Sequence, residues 1–144
     1  MKLRANISLK PFTTFGVEAN AAYFAELAAK ADLEEMHSHI HNHSPVMMLG
    51  EGSNVLFAND FPGLIIRNNL KGIEVLQEDN DNCLIQVAAG ENWPDLVDYT
   101  VDRGWGGIEN LSLIPGTVGA APIQNIGAYG VELKETLVEA EAFR

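Results

Sequence analysis

The segment 110–131 constrains the fold most, because it contains no Asp, Glu, Lys or Arg and is broken by four glycines and two prolines. A membrane span needs about 20 predominantly apolar residues. The breaks and the amide side chains of this segment would leave polar groups unsatisfied in lipid. The chain of 144 residues carries a formal charge of -11. An uncharged segment in so acidic a chain is expected to be buried or to lie against a ligand.

The net charge also limits the classes of partner. Nine Lys and Arg against twenty Asp and Glu give a pI near 4.6, so the surface field repels phosphate backbones and anionic membranes. We therefore expect no nucleic-acid partner and no membrane partner. The single cysteine, Cys83, cannot form an intrachain disulfide, and the start of the chain lacks the apolar stretch of a secretory signal. These features favour the cytoplasm.

Hydrophobic periodicity predicts an α+β chain in which strand and helix patterns alternate. Strands are predicted at 21–27, 46–49, 64–67, 73–77, 84–89 and 137–143, and the four runs between 46 and 89 are expected to form one sheet. One helix should begin at Asp32 as N-cap, with Glu35 as its reciprocal partner, and end near His41. A second should be capped by Asn92 and end before Gly104. Its predicted buried side consists of Trp93, Leu96, Val97, Thr100 and Val101.

A first glycine motif, LGEGSNVL at 49–56, directly follows a predicted strand. Its glycines permit backbone conformations in which successive N–H groups converge on an anion such as a phosphate. The candidate binding residues are Gly50, Glu51, Gly52, Ser53 and Asn54. The motif lacks the Gly-Lys-Ser/Thr of a Walker A loop and the third glycine of the Rossmann fingerprint. Because no Lys or Arg lies between Lys30 and Arg67, recognition would rest on backbone amides. The alternative is a tight strand connection without a ligand.

A second motif, IPGTVGAAPIQNIGAYG at 114–130, has small side chains where bulky ones are usual. Small residues let a flat or extended ligand touch the main chain, and the amides can bind polar ring edges. The candidate cofactor residues are Pro115, Gly116, Thr117, Val118, Gly119, Ala120, Ala121, Gln124, Asn125 and Gly127. The alternative is close packing between elements. Two such segments in one chain favour a dinucleotide-like cofactor lying extended between two lobes.

Four motifs in order, TTFG at 13–16, LGEGSNVL, GENW at 90–93 and IPGTVG through QNIGAYG, closely resemble the UDP-N-acetylenolpyruvoylglucosamine reductase family. The resemblance runs from about Leu9 to the end of the chain and covers only the first part of that enzyme. It implies an α+β, two-lobed FAD-binding domain of the vanillyl-alcohol-oxidase and p-cresol-methylhydroxylase type, truncated here. The lobes are expected at about 1–75 and 76–144, the second incomplete and the substrate-binding domain absent.

The resemblance also implies a function. Family members use NADPH and FAD to reduce UDP-N-acetylglucosamine enolpyruvate to UDP-N-acetylmuramate for peptidoglycan synthesis. It assigns residues 50–54 to the FAD diphosphate and residues 115–130 to the diphosphate and flavin, with Tyr129 as a candidate substrate contact. The family's proton-donating Ser, its Glu and the Arg that stabilises the intermediate lie in sequence beyond this chain. No catalytic residue is therefore assigned, and the chain alone is expected to be inactive.

Other interpretations stay open. The chain could belong to another flavoenzyme of the same fold, such as a sugar or lactone oxidase, or be a catalytically silent FAD-binding module. His37, His39, His41 and His43 alternate as the ligands of a Zn or Ni site on a strand would. They also straddle a predicted helix end, where cationic histidines are favoured by the helix dipole, and we favour that explanation.

Overall fold

The computed structural model describes residues 1–143, which divide into a compact unit Met1–Leu70 and a second that begins at Lys71. The first unit contains β1 (Arg4–Ser8), β2 (Asn20–Leu27), α1 (Asp32–Asn42), β3 (Val46–Leu49) and β4 (Phe61–Asn68). The second contains β5 (Ile73–Glu78), β6 (Cys83–Val87), α2 (Trp93–Val101), α3 (Ala121–Gln124), β7 (Gly127–Ala128) and β8 (Val131–Glu132). Single 3-10 turns lie at Lys10–Phe12, Glu109–Leu111 and Leu133–Glu135.

The first unit is built on a four-stranded sheet in the order β1-β2-β4-β3. β1 is antiparallel to β2, whereas β2 and β3 are both parallel to β4. Successive side chains of β4 alternate between the faces: Leu64 and Ile66 pack with α1 residues such as Met36, and Ile65 packs with Leu9 and Phe24. Because β2, β3 and β4 are parallel, their carboxyl ends lie at one edge of the sheet.

The second unit encloses its own core, in which Trp93, Leu96 and Val97 of α2 pack with Leu111 and Ile126. The indole nitrogen of Trp93 donates a hydrogen bond of 2.8 Å to the carbonyl of Leu111, so its polar atom is satisfied inside the core. β5 and β6 form an antiparallel pair, and β7 and β8 form a second short one. The charge-free segment therefore contributes buried side chains to this core.

The prediction of a single sheet from the four runs is wrong, because β5 and β6 pair only with each other. The turn between them explains this outcome. The Asp79 carboxylate accepts hydrogen bonds from the N–H groups of Asp81 (2.9 Å) and Asn82 (2.8 Å), and the Asp79 N–H donates to the Asn82 carbonyl. A turn closed by its own Asp brings its two flanking strands together locally. β1, which the sequence analysis did not predict, supplies the fourth strand of the first sheet.

The strand predicted at 137–143 is also wrong. The chain there leaves a 3-10 turn, with the Leu137 N–H bonded to the Leu133 carbonyl at 2.9 Å, and continues without regular structure as far as it is described. Alternating polarity produces a strand only where a neighbouring strand accepts its backbone hydrogen bonds. No strand among residues 1–143 pairs with this segment.

The two predicted helices, α1 and α2, lie where the sequence places them, with two local differences. In α1, Ala31 is the N-cap and Asp32 is the first helical residue. The Asp32 carboxylate instead accepts the N–H groups of Ala28 (3.0 Å) and Ala29 (2.9 Å) of the preceding turn. In α2, the Asn92 cap is confirmed by its hydrogen bond from the Asp95 N–H. Val101, predicted as buried, is 51% exposed because it occupies the last helical position, where no element covers it.

Candidate functional site

The first glycine motif forms the loop that follows the carboxyl end of β3, at the edge of the parallel strands. In open sheets with parallel strands this edge is the usual place for a ligand. Gly52 has a φ of +67°, and a Cβ at this position would lie 2.2 Å from the Phe12 carbonyl oxygen. The Thr14 N–H in turn donates to the Gly52 carbonyl at 3.2 Å. Glycine is thus required at position 52 by the close approach of Phe12, next to the TTFG motif, as well as by the positive φ.

The other residues of this loop differ in what they offer to a ligand. Gly50 does not have a positive φ, so its backbone conformation does not itself require glycine. Gly50, Glu51 and Ser53 are partly exposed, and Asn54 is exposed. Gly52 itself is buried, so the surface that the loop offers at the strand edge comes from its neighbours.

The second motif is held by backbone hydrogen bonds to the GENW motif that precedes α2. The Trp93 N–H donates to the Gly116 carbonyl, and the Val118 N–H donates to the Glu91 carbonyl, both at 2.9 Å. Asn92 and Thr117 form an antiparallel bridge between these two bonds. The helix cap and the glycine-rich segment are therefore parts of one rigid backbone arrangement.

Packing accounts for several of the small residues in this segment. A Cβ on Gly119 would lie 2.6 Å from the Cβ of Ala89, whose carbonyl accepts the Gly119 N–H at 2.9 Å. Gly116, with a φ of +136°, Thr117 and Ala121 are buried. These residues present little surface to a ligand. Pro115, by contrast, is exposed, and Val118 and Ala120 are partly exposed.

The segment becomes more exposed toward its end. Gln124 and Asn125, the latter with a φ of +50° after α3, are exposed, as is Gly127. Three large nonpolar side chains are almost fully exposed: Leu113 (85%), Ile123 (86%) and Tyr129 (90%). Amides next to nonpolar surface can bind the polar edge and the flat face of a heterocycle.

A shallow open concavity of about 530 Å³ borders the end of this segment, and its lining includes Asn125, Gly127, Gly130, Glu132 and Glu135. The two carboxylates make this concavity unfavourable for a phosphate. A neutral ring is the better electrostatic match there, whereas the β3 loop, with its backbone amides, suits the phosphates. Each segment, taken by itself, therefore offers one kind of contact: the β3 loop fits a phosphate group, and the end of the second segment fits a neutral ring.

Arg67 is a candidate that the sequence analysis missed. It lies on β4 directly beside Leu49 in the register with β3, one residue before the glycine loop. Its guanidinium carbon lies 5.5 Å from the centre of the Phe12 ring, and Nη1 lies 3.4 Å from a carboxylate oxygen of Glu26. Inspection of the sequence around the loop could not find Arg67. It lies 18 residues beyond Leu49 in the chain and is brought beside the loop only by the pairing of β3 with β4. The available signal was an Arg ending an otherwise apolar run.

The histidines follow the helical interpretation. The rings of His37 and His41 are 4.4 Å apart and those of His39 and His43 are 5.8 Å apart, as expected for pairs one turn apart along α1. His41 Nδ1 lies 2.8 Å from the His37 carbonyl oxygen, and His43 Nδ1 lies 3.1 Å from that of His39. Within residues 1–143, no group of three or more His, Cys, Asp or Glu is arranged to hold a metal ion. In the same range no helix has the length and apolar character needed to cross a membrane.

Comparison with known proteins identifies the family to which the chain belongs. A family model described as an FAD binding domain matches residues 21–143. The UDP-N-acetylenolpyruvoylglucosamine reductase of Chromobacterium violaceum is 49% identical over 96% of this chain and 41% of its own length. That of Amoebophilus asiaticus is 50% identical over 99% of this chain and 42% of its own. In a crystal structure, the UDP-N-acetylenolpyruvylglucosamine reductase (MurB) from Thermus caldophilus matches with a TM-score of 0.69 and 31% identity, over 92% of this chain and 45% of that one. The chain thus spans about two fifths of the length of the curated relatives that it matches.

Proposed function

The chain belongs to the FAD binding domain family, and on that premise we propose that it is the FAD-binding part of a UDP-N-acetylenolpyruvoylglucosamine reductase. The predicted α+β FAD-binding fold is confirmed by the family match and the structural neighbour. The observation that carries the proposal is the pair of glycine-rich segments with exposed amide side chains, one following β3 and one held by the GENW motif. Each corresponds to a motif of the family resemblance.

We assign the loop 50–54 to the FAD diphosphate. Its support is the position of the loop at the carboxyl end of a parallel strand, the left-handed φ of Gly52 and the exposed Asn54. We assign residues 115–121, 124, 125 and 127 to contacts along the cofactor. Within that group the exposed Gln124 and Asn125 are the direct binding groups, and the buried Gly116, Thr117 and Ala121 hold the backbone in place.

The proposed substrate is UDP-N-acetylglucosamine enolpyruvate and the proposed reductant is NADPH. The chemistry that FAD supplies when bound is the transfer of a hydride from NADPH to the enolpyruvyl double bond. The contribution of this chain is to bind and orient the cofactor and to shield it from water. Tyr129, 90% exposed with a φ of +54°, remains a candidate substrate contact. A cytoplasmic location remains part of the proposal, supported by the single cysteine.

Titration with FAD, followed by quenching of flavin fluorescence, tests the site assignment. Asn54→Ala and Gln124→Ala each remove one exposed hydrogen-bonding side chain and should weaken FAD binding by about three- to tenfold. Gln77→Ala, an exposed polar residue of β5, is the matched control and should leave the dissociation constant unchanged. Equal affinities for all four proteins would contradict the assignment of both segments.

A chimera tests the proposed reaction. In it, this chain replaces the matching 41% of the Chromobacterium violaceum relative. We expect the purified chimera to be yellow and to oxidise NADPH only when UDP-N-acetylglucosamine enolpyruvate is added. A yellow chimera that does not oxidise NADPH when this substrate is added would refute the substrate assignment but not the assignment of FAD binding. The alternative oxidase would be revealed by reduction of its flavin with sugars or lactones.

A further inference from the structure

The Arg67 side chain lies on the face of the first unit's sheet that also carries the residues packed next to the glycine loop. Side chains of a strand alternate, so Arg67 shares its face with Ile65, which packs with Leu49 and Phe12. The Phe12 ring lies 5.5 Å from the guanidinium carbon, and the Phe12 carbonyl is the atom that would contact a Cβ on Gly52. Phe12 is therefore in contact with Arg67 on one side and with the glycine loop on the other.

The charge of Arg67 is only partly compensated. Its partner Glu26 is shared with Arg4, whose Nη2 lies 4.0 Å from the second oxygen of the same carboxylate. Two guanidinium groups thus face one carboxylate in a chain with a formal charge of -11. The Arg67 side chain is 32% exposed, so part of it can be reached from solvent. A guanidinium supported by an aromatic ring presents its planar donors to an anion at a low cost in conformational entropy.

We propose that Arg67 binds an oxygen of the FAD diphosphate held at the loop 50–54. This inference rests on the proposed FAD site and adds to it the one element that a backbone-only site lacks, a positive charge. The positive charge of Arg67 also offsets the negative charge of Glu51, which lies within the loop that is to hold the diphosphate. Arg67 supplies a positive charge from the neighbouring strand, and Glu26 competes with the ligand for its guanidinium.

The experiment measures the dissociation constants of FAD and of riboflavin, which has the same ring but no phosphate, for five proteins. Arg67→Met should weaken FAD binding about tenfold and leave riboflavin binding unchanged, because only FAD offers the diphosphate. Glu26→Gln should strengthen FAD binding about threefold, since it frees the guanidinium from a competing carboxylate. Arg67→Lys should give an intermediate affinity. Lys2→Met is the matched control, because it removes an exposed positive charge of the first unit that is not paired with Glu26.

The outcomes separate this inference from the proposed function. If the unaltered chain binds no FAD, the proposed function fails and this inference fails with it. If the unaltered chain binds FAD and Arg67→Met binds it equally well, the role of Arg67 alone is refuted. A purely structural role would weaken binding of both ligands in Arg67→Met and would also weaken FAD binding in Glu26→Gln. Tighter FAD binding by Glu26→Gln, together with unchanged FAD binding by Lys2→Met, would support the direct contact.

Discussion

Gly52 is constrained both by its positive φ and by a close contact with Phe12. Comparison with Gly16 separates these two effects. Gly16 has a similar φ, +60° against +67°, but no atom lies within 4 Å of its absent Cβ, whereas that of Gly52 would lie 2.2 Å from the Phe12 oxygen. Gly16→Ala should therefore cost about 1 kcal/mol of unfolding free energy from backbone strain alone. Gly52→Ala should cost about 3 kcal/mol, because overpacking adds to that strain.

Urea unfolding of the two variants, followed by circular dichroism, measures this difference. FAD affinity, measured in parallel under native conditions, should fall in Gly52→Ala and stay near the original value in Gly16→Ala. Equal destabilisation of the two variants would mean that the contact with Phe12 relaxes without cost.

Gly119 provides a second residue-scale prediction, since its absent side chain makes room for Ala89. Gly119→Ala would place two Cβ atoms 2.6 Å apart and should destabilise the second unit by about 2 kcal/mol. Ala89→Gly alone should cost less than about 1 kcal/mol. The double variant should recover part of the loss, because one of the clashing methyl groups is gone. A double-mutant cycle in urea measures the coupling, and purely additive effects would contradict a direct contact.

The residue scale also shows what the sequence could predict of the site. Glycines and exposed amides located both segments, because their residue types restrict the backbone wherever they occur. Which small residues serve packing could not be predicted, since Gly119 depends on Ala89, about 30 positions away in the chain. Arg67 was missed for the same reason: the register of β3 and β4 brings it to the loop.

At the scale of elements, the cap of α2 also supports the glycine-rich segment. The Asn92 side chain accepts the Asp95 N–H at 2.9 Å, and the Asn92 backbone bridges to Thr117. Asn92→Ala should cost about 1 kcal/mol of unfolding free energy. It should also weaken FAD binding, because the 116–118 backbone loses part of its support. Asn92→Asp retains an acceptor for the Asp95 N–H and should behave like the unaltered chain in urea unfolding and FAD titration. Equal losses in the two variants would refute the capping role.

The start of α1 predicts a pH dependence. The ammonium group of Met1, 2.9 Å from an Asp32 oxygen, and the N–H groups of Ala29 and Ala28 lower the pKa of the Asp32 carboxyl. A pKa lowered by folding contributes stability that is present above the unfolded pKa and is lost as the pH falls through the folded one. Asp32→Asn should therefore be less stable than the unaltered chain near neutral pH, and the difference should shrink below about pH 4. Urea midpoints between about pH 7 and about pH 3 measure this, and a constant difference would contradict it.

The element scale shows where periodicity suffices. β3 begins and ends where its apolar run between Pro45 and Gly50 does, and α2 follows its Asn, Pro and Gly signals. Hydrophobic periodicity predicts where a strand lies in the sequence but not which other strand it pairs with. The β5 and β6 pair was therefore assigned to the wrong sheet, and the run 137–143 was assigned a strand that lacks a partner among the described residues.

At the scale of the whole molecule, net charge and cofactor binding make opposing demands. A formal charge of -11 disfavours any anionic ligand at long range, and salt weakens that repulsion. In the proposed site, the backbone amides of the loop 50–54 and the Arg67 guanidinium would act at short range, where screening is smaller. These local groups would then offset the long-range repulsion that the acidic chain exerts on a diphosphate.

The last prediction concerns the catalytic competence of these 144 residues. Binding FAD is not sufficient for the proposed reaction, because an acid must also protonate the carbon next to the reduced one. The resemblance places that acid and its accompanying Glu and Arg in sequence that follows this chain in the family. We therefore expect the chain, loaded with FAD, to show no steady NADPH oxidation coupled to the lactyl product. Absorbance at the NADPH band and chromatography of the product measure this, with the intact Chromobacterium violaceum relative as positive control. Sustained formation of the lactyl ether by the chain alone would mean that a proton donor lies within it, and the exposed Tyr129 would be the first to replace, by Tyr129→Phe.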